Sequence, residues 1–337
     1  MKKENKAKLI NVAVVGVGNM GRHHARVYSL LENANLVAVS DIDERIGKKI
    51  ARKYEIKFYK NYKEMLNKEN IDTVSIAVPT KFHSEIALEV MKFKKHLLVE
   101  KPIASNISEA KKIIKAAKKA RVKLAIGHIE RFNPAVQKLK EIIKGGNLGK
   151  VISIIVRRVG IFSPQIRDTN VITDLAVHDI DILSYLLNQQ PTEVFAKGRE
   201  TLINQREDSA EIFLSYNDIS GFIQVNWITP VKIRILSVTG SKGYAELNYI
   251  TQKIEFYQSK YKKMVDNFGE FVIKFGQPTK KEIKINKREP LFCELESFIE
   301  CVRQNKEPLV TGEDGLRALI VAEKAIESLK YNKIIKI

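Results

Sequence analysis

Three short stretches of this sequence combine residue types and spacings suited to moving a hydride and a proton. Gly16-Val17-Gly18-Asn19-Met20-Gly21 fits G-x-G-x-x-G, with an apolar run before it, a helical pattern after it, and Asp41 closing the next apolar run. In that context Gly16 permits a tight turn, Gly18 lets backbone approach a pyrophosphate, and Gly21 lets helix pack on strand. Asn19 and Met20 complete the turn and count with the glycines as cofactor-binding, because the helix start offers free N–H donors to phosphates. Asp41 would accept the ribose hydroxyls and repel a 2′-phosphate, which favours NAD; Arg45 and Arg52 nearby keep NADP open. The alternative is a strand–helix turn that needs glycines and binds nothing.

The second stretch is a pair of strand ends. Pro79-Thr80, with His83 just beyond, closes the third apolar run, and Glu100-Lys101-Pro102 closes the fourth. Strand ends of this kind face the ligand in an open parallel sheet. Thr80 or His83 would touch cofactor or substrate there, or cap the following helix. Proline cannot extend the sheet, so the chain turns and presents Lys101, which could hold a substrate hydroxyl and pass its proton. A surface lysine at a turn is the competing reading. The third stretch is Asp174 and His178, spaced i, i+4 so that both project from one helix face. Histidine suits a base near neutral pH, and Asp174 could orient its imidazole or hold a second hydroxyl. Asp and His at this spacing also ligate zinc, but no third ligand accompanies them, so no metal is expected. A plain helix hydrogen-bond pair remains open. His23 and His24, in the first helical pattern, read as surface or internally satisfied side chains.

These residues need elements to hold them. From residue 9 to about 128, apolar runs (9–18, 35–41, 71–80, 95–102, 122–129) alternate with amphipathic stretches (20–32, 44–54, 82–93, 108–120). Strands alternating with helices predict βαβ units, hence a doubly wound parallel sheet. After residue 150 strand-like segments follow one another, at 151–160, 193–198, 209–216, 220–229, 231–240, 244–250 and 253–258. One long helix at 172–188 interrupts them, and helices are predicted at 291–305 and 313–329. Asn217–Ser220 and Gly240–Gly243 are short enough to turn hairpins. The fold class expected is α/β: a Rossmann domain over 1–126, then an α+β domain with an open, mostly antiparallel sheet over 127–337. In that division the last helices are free to pack back on the first domain.

Composition excludes several function classes. Across 337 residues the 44% hydrophobic and 29% charged content is that of a folded globular chain, and the length favours two domains. No run approaches the roughly 18 apolar residues of a membrane helix. The charged N-terminus leads into the glycine turn without a secretory cleavage site, so a cytoplasmic protein is expected. Net charge is +19, yet lysines supply 43 of the 58 basic residues, many at helix-surface spacing as in 109–123. Readers of phosphate and bases lean on arginine, so no nucleic-acid partner is expected. Cys293 and Cys301, eight residues apart in a helix, lie too far apart for a disulfide.

The motifs GVGNMG, AVPT with His83, EKP, DLAVHD and the closing PLVTGEDGLRALIVAEKAIES, in this order over nearly the whole chain, resemble the Gfo/Idh/MocA oxidoreductases. The resemblance implies metal-free, NAD-linked oxidation of a sugar or cyclitol hydroxyl. It also implies a catalytic set of Lys101, Asp174 and His178 with His178 as base, a cis peptide before Pro102, and a homodimer or homotetramer formed through the C-terminal sheet. Within the family, GHIERFNP (127–134) and DLAVHDID (174–181) look most similar to UDP-N-acetylglucosamine 3-dehydrogenases. One departure is Thr169–Thr173, where many members carry glycines before the catalytic aspartate. A UDP-sugar would need cations for its diphosphate. Arg131 and Arg167 are the substrate-binding candidates beside Lys101, Asp174 and His178, with Arg157 and Arg158 behind them; adjacent on a strand, at most one of that last pair faces a pocket. The alternatives carried are a dehydrogenase of a free polyol such as inositol and a dinucleotide-binding sensor without turnover.

Overall fold

The computed structural model describes residues 9–161, 170–203, 206–258, 261–265, 268 and 270–337. The chain divides into two compact units: residues up to Phe132 with Glu289–Leu319, and Asn133–Arg288 with Ile320–Ile337.

The first unit alternates β1 (Ile10–Val15), α1 (Gly21–Tyr28), β2 (Ala34–Ser40), α2 (Glu44–Tyr54), β3 (Lys57–Tyr59), α3 (Tyr62–Lys68), β4 (Thr73–Ile76), α4 (His83–Lys92), β5 (His96–Glu100), α5 (Ile107–Ala120) and β6 (Leu124–Gly127). All six strands pair in parallel in the order β3-β2-β1-β4-β5-β6. That is the Rossmann order, whose direction reverses between β1 and β4. Its central strands are buried on both faces, so they read as unbroken apolar runs rather than alternating ones. On one face Ala13, Val74 and Val99 join a core completed by residues of α4 and α5. On the other, Val12, Val14 and Leu98 pack with Tyr28 of α1 and with Leu295 and Phe298 of the returning C-terminal segment. Short strand β3 and helix α3 lie in a lysine-rich stretch to which the sequence pattern assigns no element.

The second unit contains α6 (Pro134–Lys144), β7 (Val151–Ile161), α7 (Val177–Leu187), β8 (Glu193–Arg199), β9 (Ser209–Tyr216), β10 (Ile219–Asn226), β11 (Ile228–Gly240), β12 (Gly243–Asn248), β13 (Lys253–Gln258), β14 (Tyr261–Val265), β15 (Phe271–Phe275) and β16 (Thr279–Ile283). The chain closes with α8 (Pro290–Gln304), α9 (Gly312–Tyr331) and β17 (Ile335–Lys336). Nine strands form one sheet in the order β16-β13-β12-β11-β7-β10-β9-β8-β17. Every pairing is antiparallel except β10 with β7. Both expected hairpins form, β9 to β10 and β11 to β12. Burial alternates along β9, so one face is covered and one open. Helix α6 and strands β14 to β17 add to the elements expected from sequence. The start of α6 did carry a signal, since the Asn133 side chain caps Ala135 N–H and Pro134 stands at the first helical position. Cys293 and Cys301 are not joined in a disulfide.

Candidate active site

In the first unit the glycine turn is built as its spacing predicts. Gly16 has φ +82°, and a Cβ there would lie 2.8 Å from the Ala77 carbonyl oxygen. A Cβ on Gly21 would lie 1.7 Å from Gly16 O, so the turn closes on itself only with glycine. Around Gly18 a Cβ meets nothing within 4 Å, which is the open space a dinucleotide phosphate requires. Asn19 and Met20 are exposed beside it, and Met20 leaves the start of α1 without a side-chain cap. Asp41 Oδ2 accepts the Val17 N–H at 2.7 Å and Oδ1 accepts Asp43 N–H at 2.9 Å. This fastens the turn to the end of β2, and a carboxylate still has acceptor sites left for ribose hydroxyls.

Pro79 is exposed and Thr80 opens a 3-10 turn, but His83 is buried. Its Nδ1 lies 2.9 Å from Pro102 O and its Nε2 2.9 Å from Val78 O, so its ring ties two strand-end turns together. Burial pulls its pKa below the usual value against those carbonyl contacts. The Lys101–Pro102 peptide is cis. Lys101 is half-buried, and its backbone N–H donates to Glu100 Oε2 at 3.2 Å. Glu100 turns inward rather than toward the turn's open side: its Oε1 meets His24 Nε2 at 2.9 Å, and Gly127 leaves room for the carboxylate. His24, expected as a surface or satisfied polar residue, is a buried partner of this carboxylate. Arg131 is also buried, with its guanidinium on Asp314 at 3.2 Å. Arg131 holds the Asp314 carboxyl down to about 2 against the opposing effect of burial, helped by bonds from Thr311 and Arg317.

In the second unit the helix bearing Asp174 and His178 opens with a widened π turn over Ile172–Ala176 before α7 begins. Such turns frequently mark functional sites. Asn170 begins it, its carbonyl accepting Asp174 N–H at 3.0 Å and its side chain accepting Thr173 N–H at 3.0 Å. Asp174 and His178 are both half-accessible, whereas Ala176, Val177, Asp179 and Ile180 are buried. The next residue fixes the helix's rotation: Arg158 clamps Asp179 through Nε at 2.7 Å and through its second nitrogen at 2.8 Å. The Tyr249 ring lies 4.9 Å from that guanidinium. Of the adjacent pair on β7, Arg158 therefore faces the helix and Arg157 is exposed. Arg167 lies outside the described residues. Among the described residues no three His, Cys, Asp or Glu side chains gather as a metal site, and no helix is long and apolar enough to cross a membrane.

A family model described as the oxidoreductase NAD-binding Rossmann fold matches residues 10–128, and its C-terminal alpha/beta domain matches 140–337. The chain belongs to the Gfo/Idh/MocA oxidoreductases. Its first unit is thus an NAD-binding Rossmann domain, and the glycine turn, the open space at Gly18 and Asp41 fit that cofactor. Among Gfo/Idh/MocA relatives, myo-inositol 2-dehydrogenase of Thermotoga maritima is 28% identical over 97% of this chain and 98% of its own length. UDP-N-acetylglucosamine 3-dehydrogenase of Acidithiobacillus ferrooxidans is 26% identical over 93% of this chain and 95% of its own. The solved structure of the Acidithiobacillus enzyme matches with a TM-score of 0.84 at 24% identity, covering 96% of this chain and 98% of that one.

Proposed function

We propose that this Gfo/Idh/MocA protein is an NAD-dependent dehydrogenase of a ring hydroxyl on a sugar-like substrate. More finely, we assign it the oxidation of the 3-hydroxyl of UDP-N-acetylglucosamine to the 3-keto sugar nucleotide. The observation that carries the reading is the seat built for Lys101. Its backbone is pinned by a buried carboxylate within the NAD-binding unit, while the side chain stays half-accessible. A surface lysine at an ordinary turn needs no such anchor. NAD, when bound, supplies the hydride acceptor. Lys101 would hold the reacting hydroxyl oxygen and stabilise the carbonyl that forms, His178 would take the hydroxyl proton, and Asp174 would orient the imidazole or a neighbouring hydroxyl. The half-accessible placement of Asp174 and His178, beside buried Ala176, Val177, Asp179 and Ile180, supports those roles.

The sugar-nucleotide reading draws on the GHIERFNP and DLAVHDID stretches and on the Acidithiobacillus relative. A second reading, oxidation of free inositol, is favoured by the Thermotoga relative and by the arginines themselves. Arg131 is occupied by Asp314 and Arg158 by Asp179, so two of the candidate cations for a diphosphate are already paired. NADH absorbance on mixing the protein with NAD and UDP-N-acetylglucosamine, beside myo-inositol, separates the two. A rise with the sugar nucleotide alone is expected; a rise with inositol alone moves the assignment to the second reading. NADH binding without turnover of either would favour a sensor. With an active substrate, His178→Ala and Lys101→Met should each lower kcat by about 10²–10⁴-fold, and near wild-type turnover in both would remove the assigned roles.

The same reading includes a homo-oligomer. On the open face of the nine-stranded sheet, Phe195, Phe213, Phe222 and Ile155 stand in register across four adjacent strands. Phe213 is 44% and Ile155 48% exposed. An apolar row of this kind is what a second copy would cover. Light scattering should show a dimer or tetramer that Phe213→Glu reduces to monomer.

A further inference from the structure

Beneath Lys101 lies a set of three ionisable side chains that the reaction as assigned does not use. His24 from α1, Glu100 from the end of β5 and Glu294 from α8 are 0%, 8% and 1% exposed. Glu100 is shared between two donors, with Oε1 on His24 Nε2 at 2.9 Å and Oε2 on the Lys101 N–H at 3.2 Å. Neither carboxyl oxygen of Glu294 has a hydrogen-bond partner among the described residues, and the same holds for His24 Nδ1. The Tyr28 ring meets His24 edge-on at 6.4 Å, and its hydroxyl lies 2.7 Å from Ser75 Oγ. Two carboxyls and an imidazole in one core are costly, and apolar side chains of similar volume would serve packing as well or better. What the cluster supplies beyond packing is a carboxylate with one orientation.

We propose that His24 and Glu294 are positioning residues for Lys101 that act through Glu100, His24 by orienting its carboxylate and Glu294 by carrying the proton of the acid pair. The proposal rests on the role given to Lys101 above. With one oxygen held by His24, the other is aimed at the backbone of Lys101, which fixes where the lysine side chain starts. Burial, and then the Glu100 charge, raise the Glu294 pKa well above the usual carboxylate range. Burial also raises that of Glu100, but the His24 hydrogen bond and the neighbouring charges of His24 and Lys101 outweigh it and leave it lowered. The proton therefore sits on Glu294 and the charge on Glu100, as two carboxyls in one low-dielectric pocket cannot both ionise. Without the His24 donor the Glu100 carboxylate is buried with a partner missing, and it relieves that by taking the proton or by turning away from Lys101.

The test uses the full-length protein with NADH bound for infrared spectra, and with NAD plus either UDP-N-acetylglucosamine or myo-inositol for turnover. His24→Phe should lower kcat by about 10²-fold with KM and NADH affinity little changed, the signature of a misplaced reacting group. His24→Gln, which keeps an N–H donor at a similar reach, should recover most of that loss. In buffer above the usual carboxylate range the infrared spectrum should hold the C=O band of a protonated buried carboxyl. Glu294→Gln should abolish this band and His24→Phe should shift it. Unchanged kcat in a folded, NADH-binding His24→Phe, or a band that survives Glu294→Gln, overturns the proposal. Full turnover in Lys101→Met would instead overturn the role of Lys101. Should neither substrate turn over, the infrared arm decides, and a band unmoved in His24→Phe sinks the coupling.

Discussion

One buried cluster in each unit sets charge against a helix, and these two clusters do so in opposite ways. In the second, Arg158 and Asp179 meet through two parallel hydrogen bonds, with the Tyr249 ring against the guanidinium. Charges and donors match, so each group has its hydrogen-bond partner beside it. In the first, two acids and one histidine share a pocket; His24 satisfies Glu100, while Glu294 faces that charge without a hydrogen bond among the described residues. The matched pair locks a helix in rotation, placing His178 beside a clamped neighbour. The unmatched trio leaves a proton in the core, and the His24 hydrogen bond to Glu100 decides which acid holds it. Matched burial serves orientation alone, whereas unmatched burial couples orientation to proton occupancy.

The largest effect should come from breaking the matched pair. Asp179→Ala strands Arg158 in the interior and should cost about 3–5 kcal/mol, read as a lowered melting temperature with reduced activity. If that loss were absent, the clamp would not hold the helix. Intermediate in size is the Arg131–Asp314 pair of the first unit. The Asp314 carboxyl is held at about 2, below its unfolded value, so its contribution is present above the unfolded pKa and disappears as pH falls through the folded one. Denaturant titrations at descending pH should show roughly 2 kcal/mol lost between about pH 5 and pH 2, a slope that Asp314→Asn removes.

The last effect has the opposite sign. Glu294 has a raised folded pKa, so above the usual carboxylate range the folded chain keeps a proton that the unfolded chain has released, and stability falls as pH rises through that window. Glu294→Gln should therefore raise the melting temperature in neutral buffer and have little effect in acid. A destabilised Glu294→Gln at neutral pH would mean that the two clusters are alike after all.

Much of the site was legible because its chemistry is local. The glycine turn, Asp41 and the Glu100-Lys101-Pro102 turn announce themselves by position at strand ends, where a parallel sheet presents what it binds. The Asp174 and His178 pair was readable as one helix face, but the π turn beneath it was not, since five residues carry no periodicity that separates it from an α turn. Strands β14 to β16 were lost among lysines and turn residues. The parallel pairing of β10 with β7 was equally hidden, because direction depends on which strand a chain returns to.

Composition, periodicity and motif order in this sequence were sufficient for two α/β units, an NAD-binding turn and the identity of the candidate reacting groups. Which charges are spent inside the protein was settled only by tertiary structure. Arg131, Arg157 and Arg158 were all candidate cations in the sequence, with at most one of the adjacent pair able to face a pocket. Folding buries the first against Asp314 and the third against Asp179 and leaves the second exposed. His24, Glu100 and Glu294 stand far apart along the chain and meet because α8 returns to the face of the first sheet where α1 packs. Local patterns follow from the geometry of one strand or helix at a time. The partner of a buried charge is set by desolvation, which exists only once distant segments have closed over it.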